Sequence, residues 1–85
     1  MKRNKIKIYA LTRSELETVR SEANFTADQD AVFDALNKDQ YFDFAIMQDL
    51  GLSPRRYYEI KRTVLEKVER IVVLLGYNHA IRKPQ

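Results

Sequence analysis

The sequence contains no cysteine and no tryptophan, a single histidine, two glycines and two prolines. Without cysteine there is no disulfide framework, no thiolate-bound zinc or iron–sulfur cluster and no thiol nucleophile. Two glycines are too few for a glycine-rich phosphate loop. His79 lies beyond the last stretch of helical periodicity, with no acid partner evident in the sequence. One such imidazole builds neither a nucleophilic triad nor a zinc site. The expectation is therefore no catalytic residue, no metal, no cofactor and no enzymatic activity. Long apolar stretches are also missing. The longest, Ile71 to Leu75, falls far short of a membrane span, and the basic start lacks the apolar segment of a signal peptide. A cytoplasmic protein with no membrane partner is expected.

What remains is 85 residues, 45% hydrophobic and 32% charged, which suits one helix-rich domain around one core. The net charge of +3 conceals a polarity. Residues 1–8 carry +4, residues 9–52 carry −6, residues 53–70 carry +3, and Arg82 and Lys83 add +2. A chain basic at both ends and acidic between them can meet nucleic acid with one face and repel it with the rest.

Lys5 to Leu11 opens as Lys-Ile-Lys-Ile-Tyr, the period-two pattern of a half-buried strand, with no second strand evident to pair with it. An edge strand, a dimer contact and an ordered arm all fit. Thr12 and Glu15 have capping-box spacing ahead of Leu16, Val19 and Ala23, which predicts a first helix from about Arg13 to Glu22, closed near Asn24. Thr26 and Gln29 repeat the signal ahead of Val32, Phe33 and Leu36, predicting a second helix to about Lys38. After the polar break at Asp39 and Gln40, Phe42, Ile46, Met47 and Leu50 describe a third helix of about two turns that Gly51 ends. Ser53-Pro54 then opens a fourth, with Tyr57, Ile60, Val64, Val68, Ile71, Val72 and Leu75 at helical spacing until Gly76. That is a helix of about 22 residues and about 33 Å.

The stretch from Phe42 to Val68 carries the functional signal: a short helix, a turn built on Leu50-Gly51-Leu52, and a Ser-Pro-capped basic helix with no spacer. This is the pattern of a helix-turn-helix. With Tyr57, Ile60 and Val64 turned inward, Arg55, Tyr58, Glu59 and Arg62 fall on the opposite side, flanked by Arg56 and Lys61. Two arginines in a first helical turn sit badly with the dipole unless an anion such as a phosphate joins them. Arg55 or Arg56 has the geometry to donate twice to a guanine edge, a contact worth roughly 1–3 kcal/mol of discrimination. Glu59 suits a cytosine amino group, and Tyr58 a sugar, a phosphate or a thymine methyl.

The run Ile46-Met47-Gln48-Asp49-Leu50-Gly51-Leu52-Ser53-Pro54-Arg55-Arg56-Tyr57-Tyr58-Glu59-Ile60-Lys61-Arg62, with Val64-Leu65-Glu66-Lys67-Val68 after it, resembles the helix-turn-helix of sigma-70 region 4 and of small phage transcriptional regulators of the ArpU and RinA type. The resemblance covers about a third of the chain. It implies a recognition helix in the major groove of promoter DNA, with contact roles for Ser53, Arg55, Arg56, Tyr58, Glu59 and Arg62 and a flanking role for Lys61. It also implies a phage or prophage setting and transcription regulation. The expected fold is all-α: about four helices, a helix-turn-helix formed by the third and fourth, a long C-terminal helix and a short strand-like N-terminal arm. Its expected parts are a basic arm 1–11, a helix-turn-helix domain 12–76 and a basic tail 77–85.

Each feature has a plainer alternative. The basic pairs at Arg55-Arg56 and Lys61-Arg62 also suit a solvated face paired with Glu59, Glu66 and Glu69. Lys2, Arg3, Lys5 and Lys7 suit either an arm on DNA or a frayed basic end. Asp28, Asp30 and Asp34 lack calcium-loop spacing and read as a solvated acidic face. Ile71 to Leu75 leaves its helix end without a polar side, so this end either meets a second copy as a homodimer or packs on the first helix and Ile6, Ile8 and Leu11. The alternative function is a protein-interaction module on a helix-turn-helix scaffold. Its acidic Asp28, Asp34, Asp39 and Asp43 region would engage RNA polymerase or a nuclease. A DNA-binding role in excision or packaging is a third option.

Overall fold

The computed structural model describes residues 5–38 and 41–82. The fold is all-α. Four helices, α1 (Arg13–Ala23), α2 (Ala27–Leu36), α3 (Asp43–Leu50) and α4 (Pro54–Leu75), follow in chain order. Both expected capping boxes form. The Thr12 hydroxyl accepts from the Glu15 amide while the Glu15 carboxylate accepts from the Thr12 amide, and Thr26 and Gln29 exchange the same bonds. Asn24, at φ 53°, closes α1 in the left-handed conformation that asparagine tolerates better than most side chains.

Helix α4 is the axis of the molecule. Tyr57, Ile60, Val64, Val68, Ile71 and Val72 form its buried stripe. Helix α1 packs on it through Val19 and Ala23, and α2 through Val32, Phe33 and Leu36, while α3 packs on α2 and contributes Ile46. All these side chains belong to one cluster. Among the described residues, no helix is long and apolar enough to cross a membrane.

The two ends of the chain depart from expectation. The strand near the N-terminus does have a partner: β1 (Lys5–Ile6) pairs antiparallel with β2 (Ile81–Arg82), in the register Ile6 to Ile81 and Lys5 to Arg82. It is also shorter than the alternating pattern predicts. Lys7, at φ −102° and ψ 86°, leaves the strand conformation, and Ile8–Ala10 coil into a 3-10 turn. Its amide still donates to the Ala80 carbonyl at 2.8 Å. A second 3-10 turn, Asn78–Ala80, precedes β2. The alternation of Ile6 and Ile8 reflects the inward packing of both side chains, Ile6 partly buried and Ile8 fully, which a turn achieves as well as a strand. Ile8, Leu11 and Ala80 are buried in the common core. Residues 1–4, 39, 40 and 83–85, which include Lys2, Arg3, Asp39 and Lys83, lie outside the described residues.

His79 is likewise tethered, contrary to expectation. Its Nε2 lies 2.8 Å from Glu15 Oε1, which joins the C-terminal turn to the start of α1. The apolar run at the end of α4 divides. Ile71 and Val72 face the core, whereas Val73, Leu74 and Leu75 are 53%, 79% and 41% exposed. Neighbours cover the helix end on one side only.

Candidate nucleic-acid interface

Gly51, at φ 65°, turns the chain out of α3, and its amide and that of Leu52 satisfy carbonyls at the helix end. Few side chains tolerate that conformation, and glycine does so without strain. The Ser53 hydroxyl then accepts from the Arg56 amide at 3.3 Å, and Pro54 occupies the first helical position, where a missing amide costs nothing. These two devices fix where α4 begins and which way its first turn faces.

With Tyr57 and Ile60 in the core, Arg55, Arg56, Tyr58, Glu59 and Arg62 are all exposed, as is Ser53. No acidic residue stands in the first turn of α4. Arg55 is the most open, with 92% of its side chain in solvent and its Nε 3.5 Å from Glu59. The Arg56 guanidinium sits 3.5 Å from Asp28 at the start of α2 and 4.0 Å from Glu59. Both arginines thus have carboxylate neighbours at long range and in solvent, where such pairs are weak and exchange readily for another anion. Arg62 carries no ion pair among the described residues. The arrangement is a solvent-facing turn with three guanidiniums, a phenol and one carboxylate, all able to donate or accept in the plane of a base edge or to a phosphate.

Lys61 is placed differently from the other expected contact residues. Only 17% of its side chain is exposed, its ammonium donates to Asp43 Oδ1 at 2.9 Å, and it lies 5.0 Å from the centre of the Tyr41 ring. It serves as an internal tie between α3 and α4 and is not part of the open basic surface. The buried Tyr57 hydroxyl donates to the same Asp43 oxygen. Burial alone would raise the Asp43 carboxyl, but the Tyr57 hydroxyl and the Lys61 ammonium outweigh it and hold the group below the ordinary carboxylate range. Burial, and then the Asp43 charge, push the Tyr57 phenol well above its usual value. Burial alone would lower Lys61, but Asp43 and Tyr41 together raise it.

Sequence reasoning missed this triad, the Asp28–Arg56 approach and the His79–Glu15 contact. Each joins residues of different elements, and no spacing rule within a helix signals them. The acidic region is largely engaged from within: Asp28 approaches Arg56, Asp34 and Asp30 bracket Arg20 at 2.8 and 2.7 Å, and Asp43 holds Tyr57 and Lys61. Among the described residues, no cluster of His, Asp or Glu suits a metal ion.

No family model, no curated protein and no solved structure matches the chain.

Proposed function

We propose that the chain binds double-stranded DNA in the cytoplasm and regulates transcription, with α3 and α4 acting as a helix-turn-helix and the first two turns of α4 as the recognition surface. The observation that carries this reading is the exposure of Arg55, Arg56, Tyr58 and Arg62 on one side of a helix start that a glycine turn and a serine cap hold fixed. Phosphate contacts from the guanidiniums set register, and Arg55, Arg56, Tyr58, Glu59 and Arg62 read base edges. Of the carboxylates in the alternative reading, Asp43 is engaged within the fold by Tyr57 and Lys61, which takes it out of an acidic face offered to another protein and favours DNA. Val73, Leu74 and Leu75 are the part of the apolar run open to a second copy, and two copies would set a half-site spacing.

The double variant Arg55→Ala/Arg56→Ala tests the assignment by fluorescence anisotropy against labelled duplexes over a salt series. Affinity should fall at least tenfold, and the slope of log affinity against log salt should become shallower by about 1 to 2, one phosphate contact per arginine. Thermal stability should change by no more than about 0.5 kcal/mol, because both side chains lie on the surface. Unchanged duplex binding in a folded double variant would remove the assignment. Sedimentation of the wild type and of Leu74→Glu measures the second-copy contact.

A further inference from the structure

The second inference rests on the DNA-binding reading of α4 and concerns how its surface is held. Helix α3 spans only eight residues and buries one of them, Ile46. Its N-cap, Phe42, provides no side-chain hydrogen bond. Phe42 and Phe44, on either side of Asp43, are 73% and 68% exposed, so apolar packing does little to anchor this end. What ties it to α4 is the Asp43 carboxylate. One oxygen, Oδ1, accepts from the Tyr57 hydroxyl and from the Lys61 ammonium, donors one helical turn apart on α4.

The same two donors adjoin Tyr58, a residue of the proposed recognition surface. Tyr57 and Tyr58 meet edge to face with ring centres 5.1 Å apart, and the Lys61 ammonium lies 6.0 Å from the Tyr58 ring. Burial leaves the Tyr57 hydroxyl no water to replace Asp43, and a buried donor without an acceptor is costly. We propose that Asp43 is a positioning residue: its shared carboxylate fixes the angle between α3 and α4 and, through Tyr57 and Lys61, the placement of Tyr58 beside Arg55, Arg56 and Arg62.

The test uses the full chain carrying Asp43→Asn or Tyr57→Phe. Asparagine keeps an acceptor for the tyrosine and loses the charge that holds Lys61, while phenylalanine keeps the buried ring and loses the hydroxyl. Two probes are compared: a 30-base-pair duplex recovered by the wild type from a randomised library, and a random duplex of equal length. Amide hydrogen exchange reports α3 and α4 separately. Both variants should weaken binding to the selected duplex about tenfold or more. Random-duplex binding and its salt slope should stay within about twofold for Tyr57→Phe, which changes no charge, and random-duplex affinity should not fall for Asp43→Asn, which removes a carboxylate and releases Lys61. Exchange protection should drop in α3 and persist in α4. Unchanged α3 protection in both variants overturns the proposal, as does equal loss of protection across all four helices, which marks a merely structural role. Equal weakening on both duplexes also overturns it. If the wild type binds neither duplex, the DNA reading fails on its own, and α3 exchange alone decides whether Asp43 docks the helix.

Discussion

Arg56 is held between two carboxylates that compete with any incoming phosphate. Asp28 approaches it at 3.5 Å from another helix and Glu59 at 4.0 Å from its own, all three side chains being about half exposed. Exposed pairs of this kind are worth about 0.2–1 kcal/mol. Removing the Asp28 charge therefore leaves the fold nearly unaffected and frees the guanidinium. Asp28→Asn should raise affinity for random duplex by up to about fivefold in a low-salt anisotropy titration, with the gain shrinking as salt screens it. A fall in affinity would show that Asp28 orients Arg56 and does not compete for it. The Asp43 and Lys61 pair makes a separate prediction on pH. Asp43 is depressed in the folded state relative to 3.8, so the stability it contributes is present above that value and lost as pH falls through the folded one. Lys61 is raised relative to 10.5, so its contribution is present below that value and lost as pH rises through the folded one. Both groups stay charged between the two windows. Urea unfolding over a pH series should show Asp43→Asn losing less stability than the wild type below about pH 4 and above about pH 10.5. Part of the acid loss should survive the variant. Glu15 is also depressed, first by the Thr12 amide and then by His79, and is untouched by the change.

At the scale of elements, the turn between α3 and α4 is held by backbone conformation and not by steric fit. A Cβ added at Gly51 would meet nothing within 4 Å, yet the residue sits at φ 65°. The cost of Gly51→Ala is therefore the left-handed backbone alone, about 1–2 kcal/mol. Chemical denaturation should show that loss with an unchanged m-value, and Gly51→Asn should recover part of it. The four helices were legible in the sequence because each is written in local chemistry. Thr12 with Glu15 and Thr26 with Gln29 mark two starts, Ser53-Pro54 a third, and Gly51 and Gly76 two stops, and these signals act within a few residues of one another. The exposed surface of α4 was legible for the same reason, since the inward spacing of Tyr57, Ile60 and Val64 leaves Arg55, Tyr58, Glu59 and Arg62 outside. Lys61 was not legible. Its position on the helix suits either surface or flank, and what withdraws it from solvent is Asp43, eighteen residues earlier on another helix. The N-terminal alternation misled for a related reason. Ile6 and Ile8 are drawn inward by the far end of the chain, which no window around Lys5 contains.

For the whole molecule, the unexpected feature is that residues 5–11 and 77–82 close on each other beside α4. Residues 77–82 carry the half-buried Tyr77 and Ile81 and the fully buried Ala80. They complete the pairing with β1 and bring His79 to Glu15. If these residues were an independent tail, ending the chain after Gly76 would leave stability unchanged. The packing requires the opposite result. Truncation uncovers Ile8 and Ile6, removes the acceptor of the Lys7 amide at Ala80, and takes a partner from the Glu15 carboxylate that caps α1. Exposure of two or three apolar side chains costs about 2–4 kcal/mol. For a domain of this size each kcal/mol lowers Tm by about 4–8 °C. The truncated chain should melt at least about 10 °C below the full chain, and exchange should accelerate at the start of α1 while the middle of α4 stays protected. The ion pairs of Arg55 and Arg56 run to Glu59 and Asp28 and not to the closing segments, so duplex affinity measured well below the melting point should change by less than about threefold. A truncated chain with unaltered Tm would mean that α1, α2 and α4 close the core without the ends. A truncated chain that stays folded but loses DNA affinity more than tenfold would place part of the contact surface on the basic residues after Gly76.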